Sequence, residues 1–114
     1  MPPSRKIASN LLWTPQGIIR RPLIRVSAEG QVLSVDQCPD LDREPLTEFY
    51  AGLLVADFDA DYRAAFARLC NTPERPLSET LHTAITPSRG ILVVISGLDF
   101  DTLRPTPHAR IERL

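Results

Sequence analysis

Cysteine and histidine are both scarce in this chain, with two of each in 114 residues. Cys38 and Cys70 stand at no metal-like spacing, so two free buried thiols are expected rather than a disulfide or a metal site. With only His82 and His108 to supply imidazole, a histidine-rich metal centre is excluded. Long apolar runs are also missing. The longest, Ile91-Leu92-Val93-Val94-Ile95, falls far short of the roughly 20 residues that cross a bilayer, so no membrane segment is expected. The start, Met1-Pro2-Pro3-Ser4-Arg5-Lys6, leads into no continuous apolar stretch with a small-residue cleavage site, which makes the cytoplasm the expected location. Excess charge of one sign is absent too. A net charge of −1, with acids and bases mixed along the chain, gives no basic surface on which nucleic acid could bind.

What is present describes an ordinary globular domain. Apolar residues make up 43% and charged residues 24%, and the length allows one domain with one modest core. Residues 5–13 read as a strand that ends at Thr14-Pro15-Gln16-Gly17, where proline and glycine supply a turn. Residues 18–27 form a second strand in which Pro22, lacking a backbone donor, predicts an edge or a bulge. A hairpin turn at Ala28-Glu29-Gly30-Gln31 leads into Val32-Leu33-Ser34-Val35, completing a three-stranded antiparallel meander. Asp36 to Pro45 is polar and reads as a surface loop, and Thr47 to Ala56 as a strand interrupted by Gly52.

From Asp59 the period changes. Tyr62, Ala65, Phe66 and Leu69 follow the i, i+3, i+4, i+7 spacing of a helical stripe, with Asp59 or Asp61 to cap its start and Asn71-Thr72-Pro73 to end it. A second short helix is expected over 77–85, with Leu77, Leu81, Ala84 and Ile85 on one side and Ser78 as a cap. Residues 90–95 then read as a fully buried strand that Ser96-Gly97 turns out of, and 109–114 as a final strand. The class is mainly β with two short helices, in one domain. It divides into amino-terminal strands (1–57), a helical insert (58–87) and carboxyl-terminal strands (88–114).

Three stretches together resemble the amidohydrolase superfamily. They are Arg5 to Asn10 with Pro22 to Val26 and Glu29-Gly30-Gln31-Val32, then Phe49-Tyr50-Ala51-Gly52-Leu53-Leu54-Val55, and Arg89 to Asp99 continuing through Thr106-Pro107 to Arg110. In that family the two chain ends fold into a small composite β-sandwich, and a metal-dependent barrel lies between them. The insert 58–87 is far too short for a barrel, which needs on the order of 200 residues or more. The resemblance therefore implies a composite domain without its barrel. The family's metal-binding His-x-His pair would fall near Tyr62 and Ala64, and neither can ligate zinc. The expected function is accordingly non-catalytic, with no cofactor. It is an interaction or assembly module, with a homodimer or a protein partner on the side the barrel would have covered. Tyr62, Phe66 and Leu69 are the candidate replacement cover or interface.

Asp57-Phe58-Asp59-Ala60-Asp61 carries the alternative chemistry. A D-x-D after an apolar strand resembles the start of a haloacid-dehalogenase phosphotransferase, with Asp57 as nucleophile, Asp59 as acid/base and Mg²⁺ as cofactor. The pattern is incomplete, since Asp61 stands where Thr or Val is usual. An EF-hand counted from Asp57 fails as well, having Tyr62 for glycine and Arg68 for glutamate. Helix capping accounts for all three acids. The other polar candidates have structural explanations: His82 and His108 as partly exposed structural histidines, and Arg20-Arg21 as charges guarding a sheet edge. Trp13 fits a core or an interface equally well.

Overall fold

The computed structural model describes residues 5–27, 31–37, 47–72, 74–87 and 89–114. The turn at 28–30, the loop 38–46 with Cys38, Pro73 and Ser88 lie outside the described residues. β1 (Arg5–Thr14) turns back at Pro15-Gln16 into β2 (Gly17–Arg20), and Arg21 separates β2 from β3 (Pro22–Val26). Arg21 adopts a left-handed φ of 51° while its N–H donates to the Asn10 carbonyl, so β2 and β3 are one bent strand against β1. Pro22 sits directly after this break. Because β3 is flanked by β1 and β4 (Val32–Gln37), the proline marks the break and not an edge. The expected antiparallel meander is present as β1, β2–β3 and β4.

β5 (Thr47–Phe58) lies parallel to β1 on the side away from β3, with Trp13 opposite Val55. α1 (Tyr62–Cys70), α2 (Leu77–Thr80) and a 3-10 turn (Leu81–Ala84) follow, then β6 (Ile91–Asp99) and β7 (Arg104–Arg113). All seven strands form one mixed sheet in the order β4-β3-β1-β5-β6-β7, with β2 paired to β1. Two expectations are corrected at its carboxyl end. Gly97 does not turn the chain out of β6. It is a bulge with φ 72°, and the strand runs on to Asp99 before reversing near Leu103. The extended Arg104-Pro105-Thr106-Pro107 and the final strand are a single β7.

Leu53-Leu54-Val55 and Leu92 to Ile95 are buried on both faces of the sheet, which is why these runs do not alternate. On one face Trp13, Leu53, Val55, Phe58, Val93 and Ile95 meet the helices through Phe66, Leu69, Leu77 and Leu81. On the other, Ile7, Ile24 and Val26 pack with Leu12, Leu54, Leu92 and Val94. Val32 and Val35 of β4 line one small cleft together with Ala56 and Asp57 of β5. In a flat sheet these strands would stand about 14 Å apart, three inter-strand spacings. The sheet is therefore rolled, with the second cluster on its concave side.

Across the parallel pair, two guanidinium nitrogens of Arg5 (Nε and Nη2) donate to Glu48 at 2.8 Å, and the Tyr50 hydroxyl donates to the same carboxylate at 3.0 Å. The Arg5 hydrogen bonds hold the Glu48 carboxyl below its ordinary range, and the same pairing raises Arg5. Tyr50 is raised, first by burial and then by the neighbouring carboxylate. A carboxyl depressed in the folded state contributes stability above its unfolded pKa and loses it as pH falls through the folded value. With the two side chains 37% and 41% exposed, solvent screening keeps the increment to about 1 kcal/mol or less. Urea titrations from neutral pH down into the acid range are expected to show this loss in the parent. In Glu48→Gln it should be missing.

Candidate binding cleft

The end of β5 is where the sequence placed its acids, and the structure gives each a different position. One extra residue enters β5 between Val55, opposite Val93, and Phe58, opposite Ile91. Asp57 occupies this bulge with a left-handed φ of 56°, a conformation aspartate tolerates better than most side chains. Its backbone is clamped. The Asp57 carbonyl accepts the Thr86 N–H at 2.8 Å, the Asp59 N–H donates to the Ala84 carbonyl at 2.8 Å, and Phe58 bridges to Ile85. Gly90 closes against the same spot, since a Cβ there would lie 2.0 Å from the Asp57 carbonyl carbon. The Asp57 side chain is left exposed, and its carboxylate forms no hydrogen bond or ion pair with the described residues.

Asp59 and Asp61 are used otherwise. Asp59 accepts the Asp61 N–H at 2.9 Å and stands 3.8 Å from the Arg68 guanidinium. Asp61 starts α1 through its carbonyl, which accepts the Ala65 N–H, while its side chain makes no capping bond. The expected carboxylate caps on α1 are thus replaced by a turn held by Asp59 ahead of the helix. Among the described residues no three His, Cys, Asp or Glu side chains are grouped as a metal ion would require.

The remaining candidates settle simply. Phe66 and Leu69 are buried between α1 and the sheet, and Tyr62 packs half-buried at the rim of that core, so the apolar stripe covers the sheet. Trp13 is a core residue, 4% exposed, whose indole N–H donates to the Ser78 carbonyl while His82 stands edge-on to its ring at 4.9 Å. His82 and His108 are both exposed. Ser78 does not cap α2, because Pro76 occupies that position and no side-chain cap is made. Ile85 is extended and only half-buried, one residue beyond the 3-10 turn. Arg20 ends β2, which pairs with β1 alone among the described residues, and Arg21 follows at the break; both are exposed. Cys70 is a free thiol, half-buried, and burial pushes it up.

The feature that pattern reading did not locate is a cleft of about 120 Å³ at the mouth of the roll. Its floor is Leu12 and Ile24. Val32 and Val35 of β4 form one wall, and Ala56 and Ile85 the other. Asp57 is the only ionisable residue among the described ones lining it. An apolar cleft with one unpaired carboxylate suits an aliphatic group that carries a cation nearby. A second cavity, about 360 Å³, lies between α1 and α2 and is edged by Arg68, Arg75, Thr72, Thr80 and Thr83. Arg68 belongs to the last turn of α1, where carbonyls point outward and the dipole is negative. That placement explains the arginine and works against an anion there.

Comparison with family models, curated proteins and solved structures finds no match for this chain.

Proposed function

We propose that this chain is a non-catalytic interaction module, a barrel-less counterpart of the amidohydrolase composite β-sandwich, which accepts a strand from a protein partner along β4. The carrying observation is the contrast between β4 and β7, the two end strands of the sheet order. β7 is guarded. Pro105 and Pro107 offer no donor, and Arg104, Arg110 and Arg113 place charge along the strand. β4 has neither proline nor basic residue, pairs with β3 alone among the described residues, and exposes Leu33 (60%) and Val35 (42%). Unpaired backbone groups beside exposed apolar side chains are what strand addition uses. The family reading draws support from a sheet built of both chain ends, with α1 and α2 laid over one face.

A homodimer joined through β4 is the simplest version of such pairing. It would crowd two Asp36 carboxylates along one short ladder, which favours a partner of different sequence. Display of random extended peptides against the purified protein tests the proposal. Enrichment is expected with the parent and should be lost in the Leu33→Lys, Val35→Lys double variant, whose circular dichroism and melting temperature stay near the parent's because both positions are exposed. Absence of enrichment, or enrichment that survives the lysines, would overturn it.

A further inference from the structure

We infer that the strand accepted by β4 carries an aliphatic side chain, seated in the cleft at the mouth of the roll, and a lysine or arginine one pleat away, facing Asp57. The inference rests on the reading of β4 as the docking edge and adds the chemistry of what docks there. Three observations meet at this place. Val32 and Val35 belong at once to the open strand and to the wall of the cleft, so a segment paired on β4 runs past its opening. The lining is apolar apart from its rim, and its volume of about 120 Å³ suits one branched aliphatic side chain. Asp57 supplies the charge. Its backbone is fixed in the left-handed region by the Thr86 hydrogen bond and the approach of Gly90, while its carboxylate is exposed and unpartnered among the described residues.

In an extended strand, residues i and i+2 project to one face about 6.6 Å apart. A side chain in so small a cleft therefore leaves its i+2 or i−2 neighbour at the rim. The charged groups nearest that rim along the chain are Asp57 itself, Asp36 beside Val35, Asp59, and Arg25 beside Ile24, which alternates to the face of β3 opposite Ile24 and Val26. Asp59 faces Arg68 and is already engaged, whereas Asp36 is exposed, so the rim favours a cation. A second copy of β4 does not supply one, since Val32 to Gln37 contains a single charge, that of Asp36.

The test uses fluorescence anisotropy with synthetic heptapeptides of alternating threonine that differ only in two positions. One carries leucine and, two residues on, lysine. The second carries leucine and glutamate, and the third alanine and lysine. The leucine–lysine peptide is expected to bind the parent about fivefold or more tightly than either control, the size expected of an exposed charge contact and of one buried aliphatic group. In Asp57→Asn, where the new side chain tolerates the same backbone angle, the preference for lysine over glutamate should vanish while leucine still outranks alanine. Ala56→Leu should remove the leucine preference by filling the cleft. Equal binding of all three peptides by the parent overturns the inference. If that binding is still lost in Leu33→Lys, Val35→Lys, the docking edge stands and the cleft does not. If no peptide binds the parent, both fall.

Discussion

Gly52→Ala is expected to be one of the most damaging single methyl additions to this protein, costing on the order of 3 kcal/mol or more. Two penalties coincide at the residue. Its φ is 143°, a backbone angle that a side chain makes unfavourable by about 1–3 kcal/mol. A Cβ there would also lie 2.4 Å from the Ile95 carbonyl oxygen and 3.2 Å from a Val94 methyl, at the start of the β5–β6 ladder. Overpacking of that kind adds about 1–3 kcal/mol, because neither backbone can retreat without giving up hydrogen bonds. The Gly52 N–H, moreover, donates to the Asn10 side chain at the point where the β1–β5 register shifts, so movement of β5 disturbs β1 as well. Gly17→Ala separates the two penalties. Gly17 shares the angle at φ 144° but has nothing within 4 Å of its Cβ position, so its cost should be the conformational part alone. Urea denaturation of both variants measures the difference. Equal losses would mean that Ile95 does not resist the methyl group.

Phe58→Ala should cost about 3–5 kcal/mol, the usual range for a large side chain removed from a core that cannot collapse around the gap. Phe58 is fully buried and stands where three parts of the chain meet. It pairs with Ile91 on β6, bridges Ile85 beyond the helices, and packs in the cluster formed with Phe66, Leu69, Leu77 and Leu81. Since small domains hold only about 5–15 kcal/mol in all, this one change should bring the protein near its unfolding threshold at room temperature. Phe58→Leu keeps much of the apolar volume and should lose clearly less. A thermal melt in which the alanine variant falls no further than the leucine variant would contradict the assignment of Phe58 to the junction.

How much of this could be read beforehand depended on whether the information was local. The period-3.6 stripe of Tyr62, Phe66 and Leu69 and the unbroken apolar run at Ile91 to Ile95 are local, and both became the elements expected of them. So did the meander, through its turn residues. Glycine misled at Gly97, since the same freedom of φ serves a turn and a bulge, and only pairing with β7 decides between them. Proline at Pro22 gave two options, and the neighbours of β3 chose between them. The parallel pairing of β1 with β5 was not legible at all. No spacing along the chain tells Trp13 to stand opposite Val55. The cleft depends on that pairing and on the roll of the sheet, so Val35 and Ala56 gave no sign in the sequence that they face one opening. The aspartates were found by composition, but their roles were set by the bulge at Asp57, which needs the β5–β6 register to be seen.

The place of β5 in the middle of the sheet also governs how the protein comes into being during synthesis. Val55 must find Trp13, made much earlier, and then wait for Val93, made much later. Pairings this distant in sequence place folding among the slower two-state domains, in milliseconds to seconds. Translation proceeds at about 5–20 residues per second, so the segment after the helices takes a second or more to appear. Throughout that interval the Leu53-Leu54-Val55 run has one hydrogen-bonding edge open, in an otherwise nearly assembled amino-terminal part. A fragment released after residue 87 would therefore be a sticky, incomplete sheet. Supplying β6 and β7 in trans as a separate peptide should rescue such a fragment from aggregation.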